Sequence, residues 1–327
     1  MNRNLGEFEI IKTYFSALAL SEKGAFNLTD DAAVIAIPAG KSIVVTTDTI
    51  VQGTHFLSED SPNNIAAKLL RESLSDLAAM GSIPAYYNLS IAVNSNTKSD
   101  WFEAFALGLL ADQKKYNITL IGGDTVATSG PITLTITALG LVDKGKTIRR
   151  SGAKFDDDIW VSGSIGDAAL GLKVATGKLN QISEANKNYL RSRYFKPNPR
   201  TLLGPKLVGH VNSVIDISDG LIADLNHICE TSNLGAKVQI TDIPLSNAAK
   251  NVLSIKPDYI DLILGGGDDF ELLFTADKSF QKVKQKLTRA LDLNLTKIGS
   301  IISGDSIQIF DQYGEIYPLP KFGYAHF

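Results

Sequence analysis

Cysteine, histidine and long apolar runs are scarce in this chain of 327 residues. Its one cysteine, Cys229, excludes an intramolecular disulfide, and the four histidines show no zinc-ligand spacing with it. No apolar run approaches the roughly 20 residues that cross a bilayer, so we expect no membrane role. The first residues lack the apolar stretch of a secretory signal, and we therefore expect a cytoplasmic protein.

An excess of basic charge is also missing. The chain has 32 Lys and Arg against 35 Asp and Glu, for a net charge of -3, and its basic residues are dispersed. Nucleic-acid binding is therefore not expected. A G-x-S-x-G nucleophile elbow is absent as well. Residues 140–147 formally match a P-loop expression, but Leu141 and Val142 continue an alternating strand and no amphipathic helix follows.

What the chain does contain is an alternation of helix and strand patterns. Its length exceeds what one core usually supports, so we predict an α/β (α+β) protein of two domains, residues 1–147 and 148–327, divided in a polar Gly/Lys/Arg-rich stretch. Periodicity predicts helices near residues 7–20, 62–80, 100–116, 167–176, 184–195, 219–231 and 278–292. It predicts strands near residues 32–37, 42–47, 85–93, 118–121, 132–138, 159–161, 213–217, 236–241, 271–275 and 296–302.

Seven short acidic motifs, TDD, TTD, LSD, GGD, GSIGD, DISD and GGGDD, lie where apolar runs end or among Gly and Ser. Converging carboxylates repel one another unless cations neutralise them, and hard oxygen ligands favour Mg²⁺. The motifs therefore indicate metal-bound polyphosphate chemistry. The paired glycines before Asp124 are suited to close approach of backbone amides to phosphate.

Structural explanations compete with this hypothesis at each motif. Turn formation explains the triplet ending at Asp48 and the pair at Asp30, and a tight turn explains the glycines before Asp124. Asp219 also fits a helix N-cap, and Asp167 is assigned to that role. The GGGDD motif is alternatively a bulge or hairpin.

Ten segments in order carry a resemblance that spans nearly the whole chain: GEFEII, TDDAAV, TTDTIVQGTHF, LSDLAAMG, LIGGDT, RRSGAK, VSGSIGDAALGL, DISDGLIADL, GGGDDFELLF and GYAHF. Together they resemble the thiamine-monophosphate kinase family of the aminoimidazole ribonucleotide synthetase-like superfamily. The resemblance implies an N-terminal α/β domain with a mixed sheet that forms a homodimer, and a C-terminal α/β domain that completes the nucleotide and substrate site.

The resemblance also implies roles for individual residues. Mg²⁺ ligands would be Asp31, Thr46, Thr47, Asp48, Asp76, Asp124, Asp216 and Asp219. ATP contacts would be Gly122, Gly123, Arg150 and Ser218. Thiamine contacts would be His55, Asp268 and either Phe322 or Tyr324. The family usually carries Glu at the position of Asp268, so this chain departs from the pattern there.

The implied reaction transfers the γ-phosphoryl group of ATP to thiamine monophosphate, with several Mg²⁺ ions, in thiamine diphosphate biosynthesis. Because the acceptor is already anionic, alignment and charge neutralisation matter more than a general base. Asp48, Asp124 and Arg150 are the expected catalytic residues. Aminoimidazole ribonucleotide synthetase is the nearest enzymatic alternative, and a catalytically silent nucleotide-binding protein is the alternative from another class.

Overall fold

The computed structural model describes residues 6–318, which divide into two compact units. Unit 1 comprises residues 6–77 and Ser82–Gly145, and unit 2 comprises Ala78–Gly81 and residues 146–318. Each unit contains a β-sheet and helices. Within the described residues, no helix has the length and apolar character needed to span a membrane.

Unit 1 is built on a mixed four-stranded sheet in the order β1-β4-β2-β3. Neighbours are antiparallel except β2 and β3, which are parallel. The opening helix is short and continues as a π-helical turn (Ile11–Phe15) and a 3-10 turn (Ser16–Leu18). The elements are α1 (Glu7–Ile10), β1 (Lys41–Val51), α2 (Pro62–Ala79), β2 (Ile83–Asn94), α3 (Ser99–Tyr116), β3 (Thr119–Thr128) and β4 (Thr133–Asp143).

The two faces of this sheet differ in burial. In β4, Leu134, Ile136 and Ala138 are fully buried, while the threonines between them are half-exposed. This alternation is the period of a strand with one covered face, as the sequence predicts. We call the face that bears Ile136 the covered face and the opposite one the open face.

Unit 2 contains a six-stranded sheet in the order β10-β7-β9-β5-β8-β6. Its strands are antiparallel except for the β10 and β7 pair. The strands are β5 (Asp158–Ser162), β6 (Ser213–Asp216), β7 (Gly235–Gln239), β8 (Leu272–Ala276), β9 (Leu295–Ile302) and β10 (Ile307–Phe310). The helices are α4 (Asp167–Ala175), α5 (Glu184–Phe195), α6 (Gly204–Leu207), α7 (Leu221–Ser232), α8 (Asn247–Ile255), α9 (Ile260–Gly265) and α10 (Phe280–Leu291).

Both faces of the unit 2 sheet are buried. Ile159 and Val161 of β5 enter one apolar cluster, whereas Trp160 between them enters another with Phe274 and Phe280. Helices therefore cover the sheet on both sides, and strands β5 and β8 and the edge strand β6 are buried along their whole length.

Several predicted elements are wrong. Residues 32–37 form no strand. Ala33 and Ile35 are partly buried against Ala19, Ala25 and Ile121, whereas Val34 is 69% exposed, so only part of this apolar run packs and it does not enter the sheet. Strand β3 continues well beyond residue 121. Helices α8 and α9 and strand β10 were not anticipated from periodicity, because short elements give weak patterns.

Candidate functional site

A cavity of about 690 Å³ lies in unit 1 between the N-terminal segment and strands β2 and β3. This volume is in the range of small-molecule sites. Its polar lining residues include Asp30, Asp31, Asn88, Ser90, Gly122, Gly123, Asp124 and Thr137. The structure thus brings together the TDD and GGD motifs, which are far apart in sequence.

The paired glycines lie inside β3, which corrects the expectation that they follow a strand and rules out the alternative of a tight turn. A Cβ on Gly123 would collide with the carbonyl oxygen of Leu89 in β2, so only glycine permits this approach of the two strands. The pairing of β2 with β3 shifts between Tyr87 and Asn88, next to Gly122. Asp124 follows on the exposed part of the strand, and its Oδ1 accepts the backbone N–H of Thr125 at 2.9 Å.

A second acidic group lies between β1 and α2. The Oγ of Ser73 donates to Asp48 Oδ2 at 2.6 Å, and the hydroxyl of Thr46 donates to Asp76. Burial, and then repulsion by the negative charge of Asp76, raise the pKa of Asp48 to about 6, while the hydrogen bond from Ser73 opposes that shift. A bound cation would stabilise both charged carboxylates.

The predicted metal ligands of unit 1 are divided between the two faces of the sheet. Thr46 and Asp48 face the covered side with α2, whereas Thr47 Oγ1 lies 3.0 Å from Thr137 Oγ1 on the open face. One row of paired residues crosses the open face: Thr49, Thr135, Ser90 and Asp124. Asp124 therefore points to the open face, opposite to Asp48. Sequence reasoning alone did not separate these groups.

His55 lies in the tight loop after β1. Its Nδ1 accepts the backbone N–H of Val51 at 3.1 Å, which places the proton of the neutral ring on Nε2. Its carbonyl oxygen accepts a hydrogen bond from Lys68 Nζ at 2.9 Å. The loop therefore fixes both the orientation and the tautomer of the imidazole.

In unit 2, the DISDG motif forms the loop between β6 and α7. Asp216 ends the strand and is buried, and Ser218 and Asp219 follow in the loop. Asp224 holds this loop, because its Oδ2 accepts the backbone N–H groups of Ser218, Asp219 and Gly220 at 3.0 to 3.2 Å. Burial and the charge of Asp219 raise the pKa of Asp224 to about 7, against these hydrogen bonds.

His227 is a nearby residue that the sequence interpretation missed. One ligand atom each from Asp219, Asp224 and His227 lies within 4.8 Å of the others, a spacing that a divalent cation can bridge. Because α7 starts just after Asp219, positions 224 and 227 are one helical turn apart, and this i, i+3 spacing was the available signal.

The GGGDD segment packs on the DISDG loop. The backbone N–H of Asp268 donates to the carbonyl oxygen of Ser218 at 2.9 Å, and that of Phe270 donates to Ile217 at the same distance. Asp268 itself has a positive φ of 69°. The segment is therefore an irregular loop that joins α9 to β8 and lies beside Ser218.

The prediction that Asp167 caps a helix is wrong. The N-cap residue of α4 is Gly166, and Asp269 accepts the backbone N–H groups of Gly166 and Ala168 at 2.5 and 3.1 Å. Desolvation raises the pKa of the fully buried Asp269 to about 8. Asp167 instead accepts hydrogen bonds from three hydroxyl groups, those of Ser164, Tyr189 and Ser246.

The remaining predicted contacts are at exposed or undescribed positions. Arg150 is exposed and follows Arg149, whose carbonyl oxygen accepts the backbone N–H of Val214 in β6 at 2.9 Å. Phe322 and Tyr324 lie outside the described residues 6–318. Cys229 is buried in α7, consistent with packing and not nucleophilic chemistry.

Comparison with known proteins identifies both halves of the chain. Residues 29–142 match the model of the AIR synthase related protein N-terminal domain, and residues 156–312 match the corresponding C-terminal domain. The thiamine-monophosphate kinase of Haemophilus influenzae is 39% identical over 299 residues, which cover 91% of this chain and 89% of that protein.

Solved structures support the same family assignment. The crystal structure of a thiamine-monophosphate kinase from Stenotrophomonas maltophilia K279a is 41% identical, with a TM-score of 0.81, and covers 88% of this chain and 90% of that one. The structure of AaThiL complexed with AMPPCP and TMP is 27% identical, with a TM-score of 0.78, and covers 99% of this chain and 97% of that one.

Proposed function

This chain belongs to the thiamine-monophosphate kinase family of the AIR synthase related proteins and is a kinase, and from that premise we propose that it transfers the γ-phosphoryl group of ATP directly to thiamine monophosphate. The products are thiamine diphosphate and ADP. The complex of AaThiL with AMPPCP and TMP supports this choice of substrates. We also propose that the protein is located in the cytoplasm.

The observation that carries the proposal is the placement of Asp48 beside Asp76. Two acids in a half-buried setting, with a hydroxyl at Thr46 and the raised pKa of Asp48, form a set of hard oxygen donors that suits Mg²⁺. Bound Mg²⁺ would neutralise the phosphates and polarise the transferring group. We propose that several Mg²⁺ ions bind, with ligands assigned to Asp31, Thr46, Thr47, Asp48, Asp76, Asp124, Asp216 and Asp219.

The other residues bind and align the two substrates. We assign Gly122, Gly123, Ser218 and Arg150 to ATP, where backbone N–H groups and a guanidinium suit phosphate oxygens. His55 and Asp268 are assigned to thiamine monophosphate, together with Phe322 or Tyr324. An in-line transfer between two polyphosphates requires alignment first, so no residue is needed as a strong general base.

We further propose that two copies associate through the open face of the unit 1 sheet. Exposed apolar side chains lie on this face: Val45 is 59% exposed, and Ile43 and Ile83 are in the row next to it. Apolar strand faces of this kind are usually covered by another protein surface. Light scattering coupled to size-exclusion chromatography should give the mass of a dimer, and Val45→Lys should shift that mass toward the monomer.

The direct test incubates the purified protein with ATP, Mg²⁺ and thiamine monophosphate and measures thiamine diphosphate by chromatography. We expect product with the wild type and none with Asp124→Asn. A folded protein that binds ATP without forming product would instead support the silent nucleotide-binding alternative. Product formation from the substrate of aminoimidazole ribonucleotide synthetase would support that enzyme.

A further inference from the structure

A second cavity, of about 660 Å³, lies within unit 2. Its walls come from the loop at Gly163, from α5, from the start of α8 and from the turn after α10. None of its lining residues is among those assigned to ATP, Mg²⁺ or thiamine monophosphate. Its volume is within the range of small-molecule sites.

One wall of this cavity carries two guanidinium groups and one carboxylate. Glu271 is fully buried and accepts hydrogen bonds from Arg193 Nη2 at 3.0 Å, from Arg200 Nε at 2.5 Å and from Ser162 Oγ at 2.6 Å, as well as from Arg200 Nη2. Glu271 thus faces two cations, and the carboxyl groups of Asp269 and Asp167 also lie near Arg193. The group of Arg193, Arg200 and Glu271 carries a net charge of +1, and the exposed carboxylate of Asp292 lines the cavity at the turn after α10.

Arg193 has a donor that this group does not use. Its side chain is only 11% exposed, and its Nε is buried without a hydrogen-bond partner within residues 6–318. A buried charged donor without an acceptor is costly and is usually satisfied by a ligand or water. Because Arg193 lines the cavity, the positive charge of its guanidinium attracts an anion bound there.

Hydroxyl oxygens supply hydrogen-bond acceptors in the same cavity. Ser164, Tyr189 and Ser246 line the cavity, and each donates its proton to Asp167, at 2.5 to 2.8 Å. A hydroxyl whose proton is committed still has lone pairs that can accept hydrogen bonds. The cavity therefore offers acceptors for O–H or N–H groups of a ligand beside donors for its oxyanion.

The glycine-rich VSGSIGD segment, to which no role in the kinase reaction is assigned, explains how this wall forms. Gly163 has a φ of 61°, and a Cβ there would collide with the Glu271 carboxylate and the Arg200 guanidinium. The absence of a side chain at this position lets the ion pair pack against the backbone at the edge of the cavity. The segment thus serves the second cavity and not a dinucleotide.

We propose that this cavity is a second ligand site, which binds a small organic oxyanion, a phosphate or carboxylate, through Arg193 and Arg200 and binds its hydroxyl or amino groups through Ser164, Tyr189 and Ser246. Three related probes separate the contributions: glycerol is neutral, glycerate carries a carboxylate and glycerol 3-phosphate carries a phosphate. Titration calorimetry is done on the full chain in EDTA, so that Mg²⁺-dependent binding at the kinase site is suppressed.

The expected result is binding of one or both anions at least about tenfold tighter than glycerol, a difference of about 1.4 kcal/mol. Ala185 lines the cavity at the exposed start of α5, so Ala185→Trp should block the site and weaken anion binding at least about tenfold. Ala111→Trp, at an exposed position of α3 in unit 1, is the matched control and should bind as the wild type does.

Two results would overturn the proposal. One is the absence of anion binding up to about 10 mM, a concentration that exceeds the Kd of weak millimolar ligands. The other is binding that Ala185→Trp leaves unchanged, because the anion would then occupy a different place. Ala32→Trp, at an exposed position that lines the unit 1 cavity, distinguishes that place. Loss of binding in this variant would locate the anion in the unit 1 cavity, whereas retained binding together with loss in Ala185→Trp supports the second site.

Discussion

Two carboxylates, Asp48 of unit 1 and Glu271 of unit 2, have opposite electrostatic surroundings. In unit 1, Asp48 lies beside another acid, Asp76, and its pKa is raised to about 6. In unit 2, Glu271 is more deeply buried, but two guanidinium groups and a serine hydroxyl surround it. An acid that the fold supplies with cations has a structural role, whereas acids placed side by side suit a cation that comes with the substrate.

Asp269 gives the largest expected effect on the pH dependence of the free energy of unfolding. It lies near Arg193, and yet its pKa rises from 3.8 to about 8. Between these values the folded state holds a proton that the unfolded state has lost, so the free energy of unfolding should fall as pH rises. From pH 5 to 8 the fall is on the order of 4 kcal/mol. Urea unfolding of the wild type and Asp269→Asn across this range measures it.

The free energies of unfolding of the two proteins should therefore converge or cross as pH increases. The stabilisation that protonated Asp269 gives the wild type is complete below the pKa of the unfolded state and is lost as pH rises through the pKa of the folded state. Parallel profiles would mean that Asp269 is ionised in the folded protein throughout. In that case the capping N–H groups of Gly166 and Ala168 outweigh desolvation.

Replacing Glu271 of unit 2 should give the next largest change in the free energy of unfolding. Glu271→Gln leaves two guanidinium groups without their counter-charge, and we expect a loss of about 3 kcal/mol or more in the free energy of unfolding. Glu230→Gln, at an exposed carboxylate, is the control and should change stability by less than about 0.5 kcal/mol. A similar small loss for Glu271→Gln would remove the structural role assigned to this acid.

Replacing Asp48 of unit 1 should have the reverse effect to replacing Glu271, because it should preserve the free energy of unfolding and reduce activity. Asp48→Asn eliminates repulsion with Asp76, so the free energy of unfolding without Mg²⁺ should not decrease. The rate of thiamine diphosphate formation should fall by at least about a hundredfold, the effect typical of losing one group that stabilises the transition state. Unchanged turnover at saturating Mg²⁺ would contradict the metal-ligand assignment.

The smallest expected effect concerns Ser73, which donates to Asp48. Ser73→Ala should raise the Mg²⁺ concentration for half-maximal activity by about tenfold, because residues that orient metal ligands act on affinity at this scale. Ser75→Ala is a close control, since the buried Ser75 Oγ has no partner among residues 6–318. Equal effects of the two substitutions would indicate general loosening of α2 instead.

Sequence periodicity predicts the long elements well, and the reasons are physical. Helix α5 coincides with its predicted span, and α2 and α3 differ from theirs by about one residue, because long amphipathic patterns have few alternative solutions. Residues 32–37 have the composition of a strand, but only Ala33 and Ile35 are partly buried, by contacts that include the N-terminal segment, and the run does not enter the sheet. Tertiary contacts of this kind are not encoded in local periodicity.

The candidate site shows the same limit at the level of single residues. Acidic motifs and their order indicate the chemistry, but a strand reverses the direction of each successive side chain, so Thr47 and Asp124 face away from Asp48. The identity of the α4 cap also depends on tertiary structure, because Asp269 reaches Gly166 from a distant part of the chain. Spacing in sequence offers no signal for either arrangement.

The backbone hydrogen bond from Asp268 to Ser218 has a consequence for how the substrates influence each other. It joins the loop proposed to contact ATP to the segment proposed to contact thiamine monophosphate. A ligand that orders one loop reduces the conformational entropy that the other loses on binding. We therefore expect positive cooperativity between nucleotide and acceptor, equal in magnitude when measured from either ligand.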